Sequence, residues 1–319
     1  MSERPVVMTS REGVPLFGIL HEPDAPRTPR TGVSLLNPGL KYRVAPNRLN
    51  VRLARALERR GYYVLRLDPP GIGDSGGDLP ELPLPELWQR IQRGALVESV
   101  VDAQRVFERE CGLAELVGMG NCGGAITSLL ASTAHPTCRR LILVDLPVTL
   151  RADDSNPHAR IRGRAHGTWV LAAYARRAGD WRAWLRLITL RSDVGTIARA
   201  LRARFLAPKK AAAAGSPGGT PAAPAGAAED ERLNERFIDA LEAFEAKGGE
   251  ALFVTAEQDN NTIQFDTMFG STRLAEPARA RRHRRITIRG ANHIYGLPEW
   301  RDELAGEVFS WLDGRGGAR

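Results

Sequence analysis

The sequence predicts an α/β fold, a mostly parallel central sheet flanked by helices and interrupted by an inserted helical cap. Three observations carry that expectation. Short β-rich runs alternate with helix-patterned segments over the first half of the 319 residues, as happens when crossover helices cover both faces of a parallel sheet. Residues 62–68 and 114–119 are apolar runs short enough for buried strands. Strand signals then vanish between about residues 146 and 237 and return after it, which marks an insertion.

The elements follow in order. Residues 5–8 and 16–20 read as an opening antiparallel pair across the Arg11-Glu12-Gly13 turn, and 32–36 as the next strand. Asn47 is expected to cap a helix to Arg60, with Leu49, Leu53, Ala56 and Leu57 on one face and Gly61 ending it. Strand 62–68 follows, then a helix over 96–109 with Leu96, Val97, Val100, Val101 and Phe107 at helical spacing. Strand 114–119 leads through a glycine-rich turn into a helix over 125–134, and 140–145 is the strand after it. The cap, 146–237, carries Trp169, Trp181 and Trp184; within it 207–228 is so rich in alanine, glycine and proline that it reads as a flexible linker. A helix over 229–246, strands 250–255 and 285–289, and an amphipathic helix over 298–312 with Trp300, Leu304, Val308, Trp311 and Leu312 inward complete the chain. The core is thus expected in two parts, 1–145 and 238–319.

Composition narrows the function classes. Hydrophobic content of 43% with 26% charged is that of a globular enzyme. No apolar run approaches a membrane span and the first residues lack the apolar core of a signal peptide, so a cytoplasmic protein without a membrane span is expected. The three cysteines, Cys111, Cys122 and Cys138, have no paired spacing, which argues against a disulfide framework or a zinc site. The net charge of +8 is almost wholly arginine, and the run Arg281-Arg282-His283-Arg284-Arg285 reads as a solvated face. Aromatic residues do not interleave with it as they do in nucleic-acid modules, so no nucleic-acid partner is expected.

The chemistry centres on G-x-C-x-G at Gly120 to Gly124. A side chain exposed at a sharp strand-to-helix turn needs strained dihedrals and small neighbours two residues either side. That proposes Cys122 as a nucleophile, set at a helix N-terminus that favours its thiolate. A nucleophile needs a base, and the base an anion to orient it. Of the six histidines, His293 in G-A-N-H-I-Y-G follows the last strand in a loop of small residues and is the candidate base. The strand before E-Q-D-N-N puts Asp259 on the following loop as the candidate acid, with Glu257 and Asp145 as alternatives. Backbone N–H groups of Gly123, after the nucleophile, and of Leu40, in the N-P-G-L-K turn, are the candidate oxyanion donors. Gly71 to Gly76 also fits G-x-G-x-x-G, yet the following D-L-P-E-L-P-L-P denies an immediate helix to bind pyrophosphate, so no dinucleotide cofactor is expected.

Taken together, the N-P-G loop, the strand ending in R-L-D-P-P-G-I-G-D-S, the G-x-C-x-G elbow, Asp259 and His293 resemble the α/β-hydrolase superfamily over nearly all the chain outside the cap. The stretch K-Y-R-V-A-P-N-R-L-N-V-R-L-A-R-A-L-E-R-R-G with G-I-G-D-S-G is similar to the cysteine-nucleophile hydrolases that accompany exosortase gene clusters. Cysteine stands where serine is usual, and Asn37-Pro38-Gly39 where His-Gly often precedes the oxyanion donor. Dienelactone hydrolases and some thioesterases of the superfamily also use cysteine, so the resemblance implies covalent catalysis on an ester, thioester or lactone. The substrate would be a small-molecule or carrier-bound acyl group, with no metal and no cofactor. Two alternatives stand beside hydrolysis: acyl transfer to a non-water acceptor, and a non-catalytic scaffold that binds an acyl ligand or a protein. The oligomeric state is not legible.

Overall fold

The computed structural model describes residues 2–151 and 231–314. The chain divides into one unit of Met1–Leu150 with Arg232–Arg319 and a second of Arg151–Glu231. The expected linker, 207–228, and the cap, 146–237, lie outside the described residues except at the cap's two ends, where Leu146, Val148 and Phe237 are buried in the first unit's core.

One sheet organises that unit. Its strands are β1 (Ser2–Thr9), β2 (Pro15–Glu22), β3 (Thr31–Leu36), β4 (Tyr63–Leu67), β5 (Glu115–Asn121), β6 (Cys138–Val144), β9 (Glu250–Ala256) and β10 (Arg284–Ile288), in the spatial order β1-β2-β4-β3-β5-β6-β9-β10. Strands β7 (Thr149–Arg151) and β8 (Glu231–Leu233) pair separately. The β1–β2 and β2–β4 pairs are antiparallel. Every later pair is parallel. The hairpin forms where the sequence offers a tight turn, and the parallel pairs where helices intervene.

Alternation along each strand feeds two cores. Ala251 and Phe253 of β9 join one cluster, with Phe107, Ile126, Leu129, Leu241 and Phe244. Leu252, Val254 and Ala256 join the other, with Leu53, Leu57, Leu304 and Val308. Helices α3 (Val97–Cys111), α4 (Gly123–Ser132) and α5 (Glu235–Ala246) therefore cover one face, and α1 (Leu49–Glu58) and α8 (Pro298–Leu312) the other. Both faces being dry explains why the central strands read as unbroken apolar runs.

Several elements differ from expectation. Asn47 caps nothing: it has φ 55° inside a short 3₁₀ turn, Pro46–Arg48, and α1 starts at Leu49. An unexpected helix, α2 (Leu84–Gln92), follows the proline-rich stretch, with a proline in its first turn, where the missing N–H leaves no bond unmade. The helix expected over 229–246 begins at Glu235 because the Asn234 side chain accepts the Arg236 N–H at 3.2 Å and caps it. In α8 the buried residues are Leu304, Val308 and Leu312, whereas Trp300 and Trp311 are half-buried. Among the described residues no helix is long and apolar enough to cross a membrane.

At the sheet's antiparallel end a polar network is sealed under α1. Arg66 Nε donates to His21 Nε2 at 3.0 Å, and His21 Nδ1 lies 3.3 Å from Glu58 Oε2. Since Nε2 must accept, His21 is neutral with its proton on Nδ1. Burial, then the Arg66 charge, push its pKa down from 6.5 to about 4. As pH falls below 6.5 the unfolded chain takes up a proton that the folded chain refuses until about pH 4. Stability is therefore lost across that window, by about 3 kcal/mol from this group alone. Glu58, raised by its own burial, titrates with the opposite sign. Denaturant unfolding at pH 7 and pH 4.5 should accordingly give a shallower pH dependence for His21→Gln than for wild type; equal slopes would mean His21 is not held neutral.

Candidate active site

Strands β5, β6, β9 and β10 run parallel and end along one edge of the sheet. Cys122 directly follows β5 and Asp145 directly follows β6, while Asp259 and His293 lie just beyond β9 and β10. The ladder continues past the strand ends and fixes these positions: Cys122 N donates to Val144 O, and Asp145 N to Val254 O, both at 2.8 Å. Beyond them, Gln258 N donates to Ala291 O at 2.8 Å.

Cys122 occupies a strained elbow, φ 52° and ψ −118°, immediately before α4. This conformation persists because its surroundings leave no alternative. A Cβ on Gly120 would enter the backbone of Gly124, and one on Gly124 would enter Asn37 O. A Cβ on Gly123 would lie 2.7 Å from Gly39 Cα. Glycine is thus required by close approach of three backbone segments. The first N–H groups of α4, Gly123 among them, have no intrahelical acceptor. Facing them is the 37–41 turn, with Gly39 at φ 57°, the Asn37 side-chain amide bonded to Lys41 O, and the Trp88 ring of α2 where a Gly39 side chain would be. Leu40 of that turn packs against Ile72, Ile91 and Leu96.

His293 Nδ1 is 2.7 Å from Asp259 Oδ2. The imidazole loop is tied at several points: Asn47 Nδ2 donates to Ile294 O at 2.9 Å, Tyr295 N to Asn292 O at 2.9 Å, and Arg301 Nη1 to Tyr295 O at 2.8 Å. Burial lowers the affinity of His293 for a proton, but hydrogen bonds and charge from Asp259 and from Cys122 outweigh it and hold the ring protonated well above its ordinary range. His293 is thus bonded to Asp259 and lies within electrostatic reach of Cys122, so the structure brings together the three residues singled out in the sequence.

The alternative acids are placed differently. Glu257 Oε2 accepts the Gly290 N–H at 2.6 Å. Asp145 is fully buried, with Oδ1 accepting Ala256 N at 2.7 Å and Oδ2 at 4.0 Å from His293 Nδ1. Its Oδ2 has no hydrogen-bond partner, and neither has the buried hydroxyl of Tyr295, although the two groups influence each other's ionisation without meeting in hydrogen-bonding geometry. Burial first, then the like charge of Asp259, push Asp145 up to about 7. Two carboxylates therefore face one imidazole, of which Asp259 holds the charge-assisted hydrogen bond. Asp145, Asp259 and His293 approach closely enough to ligate a cation. With Nδ1 already bonded to Asp259, the ion pair accounts for that approach.

The glycine loop at 71–76 folds around an internal anion. Asp68, buried at the end of β4, accepts Arg43 N at 2.6 Å and Asp74 N at 3.2 Å, and pairs with the Arg43 guanidinium. Gly73, at φ 61°, sits where any side chain would enter that carboxylate. The protein's own aspartate thus sits at the centre of the loop, where Arg43 pairs with both Asp68 and Asp74.

One residue of the site carried no signal in the sequence. Asn261, in the first turn of α6 (Asn260–Phe265), directs its side-chain amide toward Cys122 Sγ at 3.8 Å and donates to Asp145 O at 3.0 Å. An asparagine behind a capping aspartate looks like any first-turn residue until the fold closes.

No family model and no curated protein matches the chain. Solved structures do. DcsB, in a complex with its substrate analogue, superimposes with a TM-score of 0.54 at 12% identity, over 98% of this chain and 99% of that one. The Pyrococcus furiosus esterase Pf2001 gives a TM-score of 0.53 at 11% identity, over 98% and 90%. An alpha-beta serine hydrolase homologue from Coxiella burnetii gives 0.51 at 14%, over 98% of each chain. The fold is accordingly that of the α/β-hydrolases.

Gly124 offers a direct check on the elbow. Gly124→Ala should lower stability by about 1–3 kcal/mol through overpacking against Asn37 O. Gly306→Ala, at an exposed α8 position with open space around it, should raise stability by about 0.5–1 kcal/mol. Denaturant titration of both separates a steric requirement at the elbow from a general intolerance of alanine; a neutral Gly124→Ala would contradict the packing described.

Proposed function

We propose that the protein is an acyl hydrolase acting on ester, thioester or lactone bonds through a Cys122–His293–Asp259 triad. The observation that carries the reading is the His293–Asp259 hydrogen bond, formed at the same sheet edge that ends in the elbow cysteine. The reaction so proposed starts from the protonated imidazole, with the Cys122 sulfur as nucleophile. Its sulfur attacks the carbonyl carbon, the π electrons move to oxygen, and the N–H groups of Gly123 and Leu40 receive the developing oxyanion. Collapse expels the alcohol or thiol, which takes the proton from His293 and leaves an acyl-cysteine thioester. A water molecule, deprotonated by His293, attacks that thioester, and the thiolate leaves with the acid as product. Asp259, hydrogen-bonded to Nδ1, holds the ring in the productive orientation throughout.

The esterase and the serine hydrolase homologue among the similar structures fit the same reaction class. Thiolates expel amines poorly, so activated acyl groups are better substrates than peptides. The two remaining cysteines take no part: burial pushes Cys111 up to about 11 and Cys138 to about 12, which leaves both as inert thiols at neutral pH.

The test is hydrolysis of p-nitrophenyl acetate and of a short acyl thioester. Cys122→Ala and His293→Ala should each lower kcat by about 10³-fold or more, and Asp259→Asn by a comparable factor through loss of the correct tautomer. Cys111→Ala should leave it unchanged. Undiminished turnover by Cys122→Ala would remove the thiol from the mechanism.

A further inference from the structure

We propose that Asn261 is a further catalytic residue of this site, its side-chain amide donating to Cys122 Sγ and stabilising negative charge on the sulfur. The inference rests on Cys122 as the nucleophile and adds the group that partners the sulfur besides His293.

The donor identity follows from the neighbours. The amide atom nearest Asp145 O, at 3.0 Å, faces a carbonyl, which only accepts, so it must be the nitrogen and not the oxygen. The same nitrogen lies 3.8 Å from Cys122 Sγ. An amide nitrogen carries two hydrogens, so one N–H serves the carbonyl and the other is left for sulfur. A distance of 3.8 Å suits the large radius of sulfur. The amide is held there independently of the sulfur. Asn261 N donates to Asp259 Oδ1 at 3.2 Å, while the Asp145 carbonyl is fixed by Asp145 N on Val254 O at 2.8 Å and Asp145 Oδ1 on Ala256 N at 2.7 Å. Asn261 therefore bridges the acid of the triad, the end of β6 and the reacting atom.

A neutral thiol gains little from such a donor, whereas a thiolate gains a charge-assisted hydrogen bond. The amide has no proton to lose across the working pH range, so it favours the ionised sulfur whatever the state of the imidazole. The same preference acts when the acyl-cysteine breaks down, because the C–S electron pair then returns to sulfur. Asn261 thus serves the thiolate both as resting nucleophile and as leaving group, and its loss should slow deacylation along with initial attack.

The experiment follows Cys122 alkylation by iodoacetamide across pH, read by intact mass, in wild type, Asn261→Ala and the near-isosteric Asn261→Asp. Removing the donor should raise the pH of half-maximal alkylation by about one unit in Asn261→Ala, the tenfold change that loss of a charge-assisted hydrogen bond brings. Asn261→Asp, which also adds a negative charge, should raise it further. Pre-formed acyl-enzyme should decay more slowly in both. A role confined to packing would change the melting temperature and leave the pH profile in place. Should the alanine variant fail to fold, Asn261→Leu, with a similar outline and no donor or charge, carries the test. A profile unmoved in whichever variant folds would overturn the proposal. Failure of wild type to form an acyl adduct, with the alkylation profile still displaced by Asn261 substitution, would instead overturn the acyl-cysteine reaction and leave the sulfur–amide contact standing.

Discussion

The strained turn at Cys122 is the constraint on which the site depends. A positive φ at a residue with a side chain costs about 1–3 kcal/mol and survives only where packing over-determines it. Here the packing is backbone against backbone: Gly120 on Gly124, Gly124 on Asn37, Gly123 on Gly39. Those contacts hold the largely buried Cys122 at the end of β5, start α4 at once behind it, and bring the 37–41 turn to the helix N-terminus. In the proposed reaction, nucleophile and oxyanion donors are in this sense one structure.

The opposite wall is built electrostatically. β9 and β10 deliver Asp259 and His293, and the 2.7 Å contact between them keeps the imidazole protonated against the penalty of its burial. Asp145 adds a second carboxyl that its surroundings resist charging, since it is sealed from water beside Asp259. Two acids of one kind thereby acquire different roles by environment, Asp259 hydrogen-bonded to the ring and the more deeply buried Asp145 holding Ala256 N and the end of β6 in place.

The parts legible in the sequence are those where residue type is dictated by geometry. G-x-C-x-G reveals the elbow because nothing larger than glycine fits at its flanks, and His293 stands out because a loop of small residues after the last strand has few other purposes. The carboxylate was harder. Glu257, Asp259 and Asp145 all follow strand ends, and only the turn that lets Asp259 both cap α6 and reach His293 distinguishes it. Asn261 was invisible, because its relation to Cys122 spans 139 residues of chain and exists only once β5 and β9 lie two strands apart. Helix α2 was hidden by prolines that read as breakers although one of them sits in a first turn, where proline is tolerated. The G-x-G-x-x-G run misleads in the other direction: Gly73 is required by the buried Asp68 carboxylate, Gly71 by the backbone of Asp78 and Leu79, and Gly76 by the Pro15 ring, all parts of the chain itself.

The central claim, that one sulfur carries the acyl group, is tested most directly by acid-quenching the enzyme during turnover of a short acyl thioester and mapping the modified peptide. The acyl mass should appear on the peptide containing Cys122, be absent from Cys111 and Cys138, and be absent altogether in His293→Ala. Product formation with no acyl group on Cys122, or with the acyl group on another side chain, would contradict it.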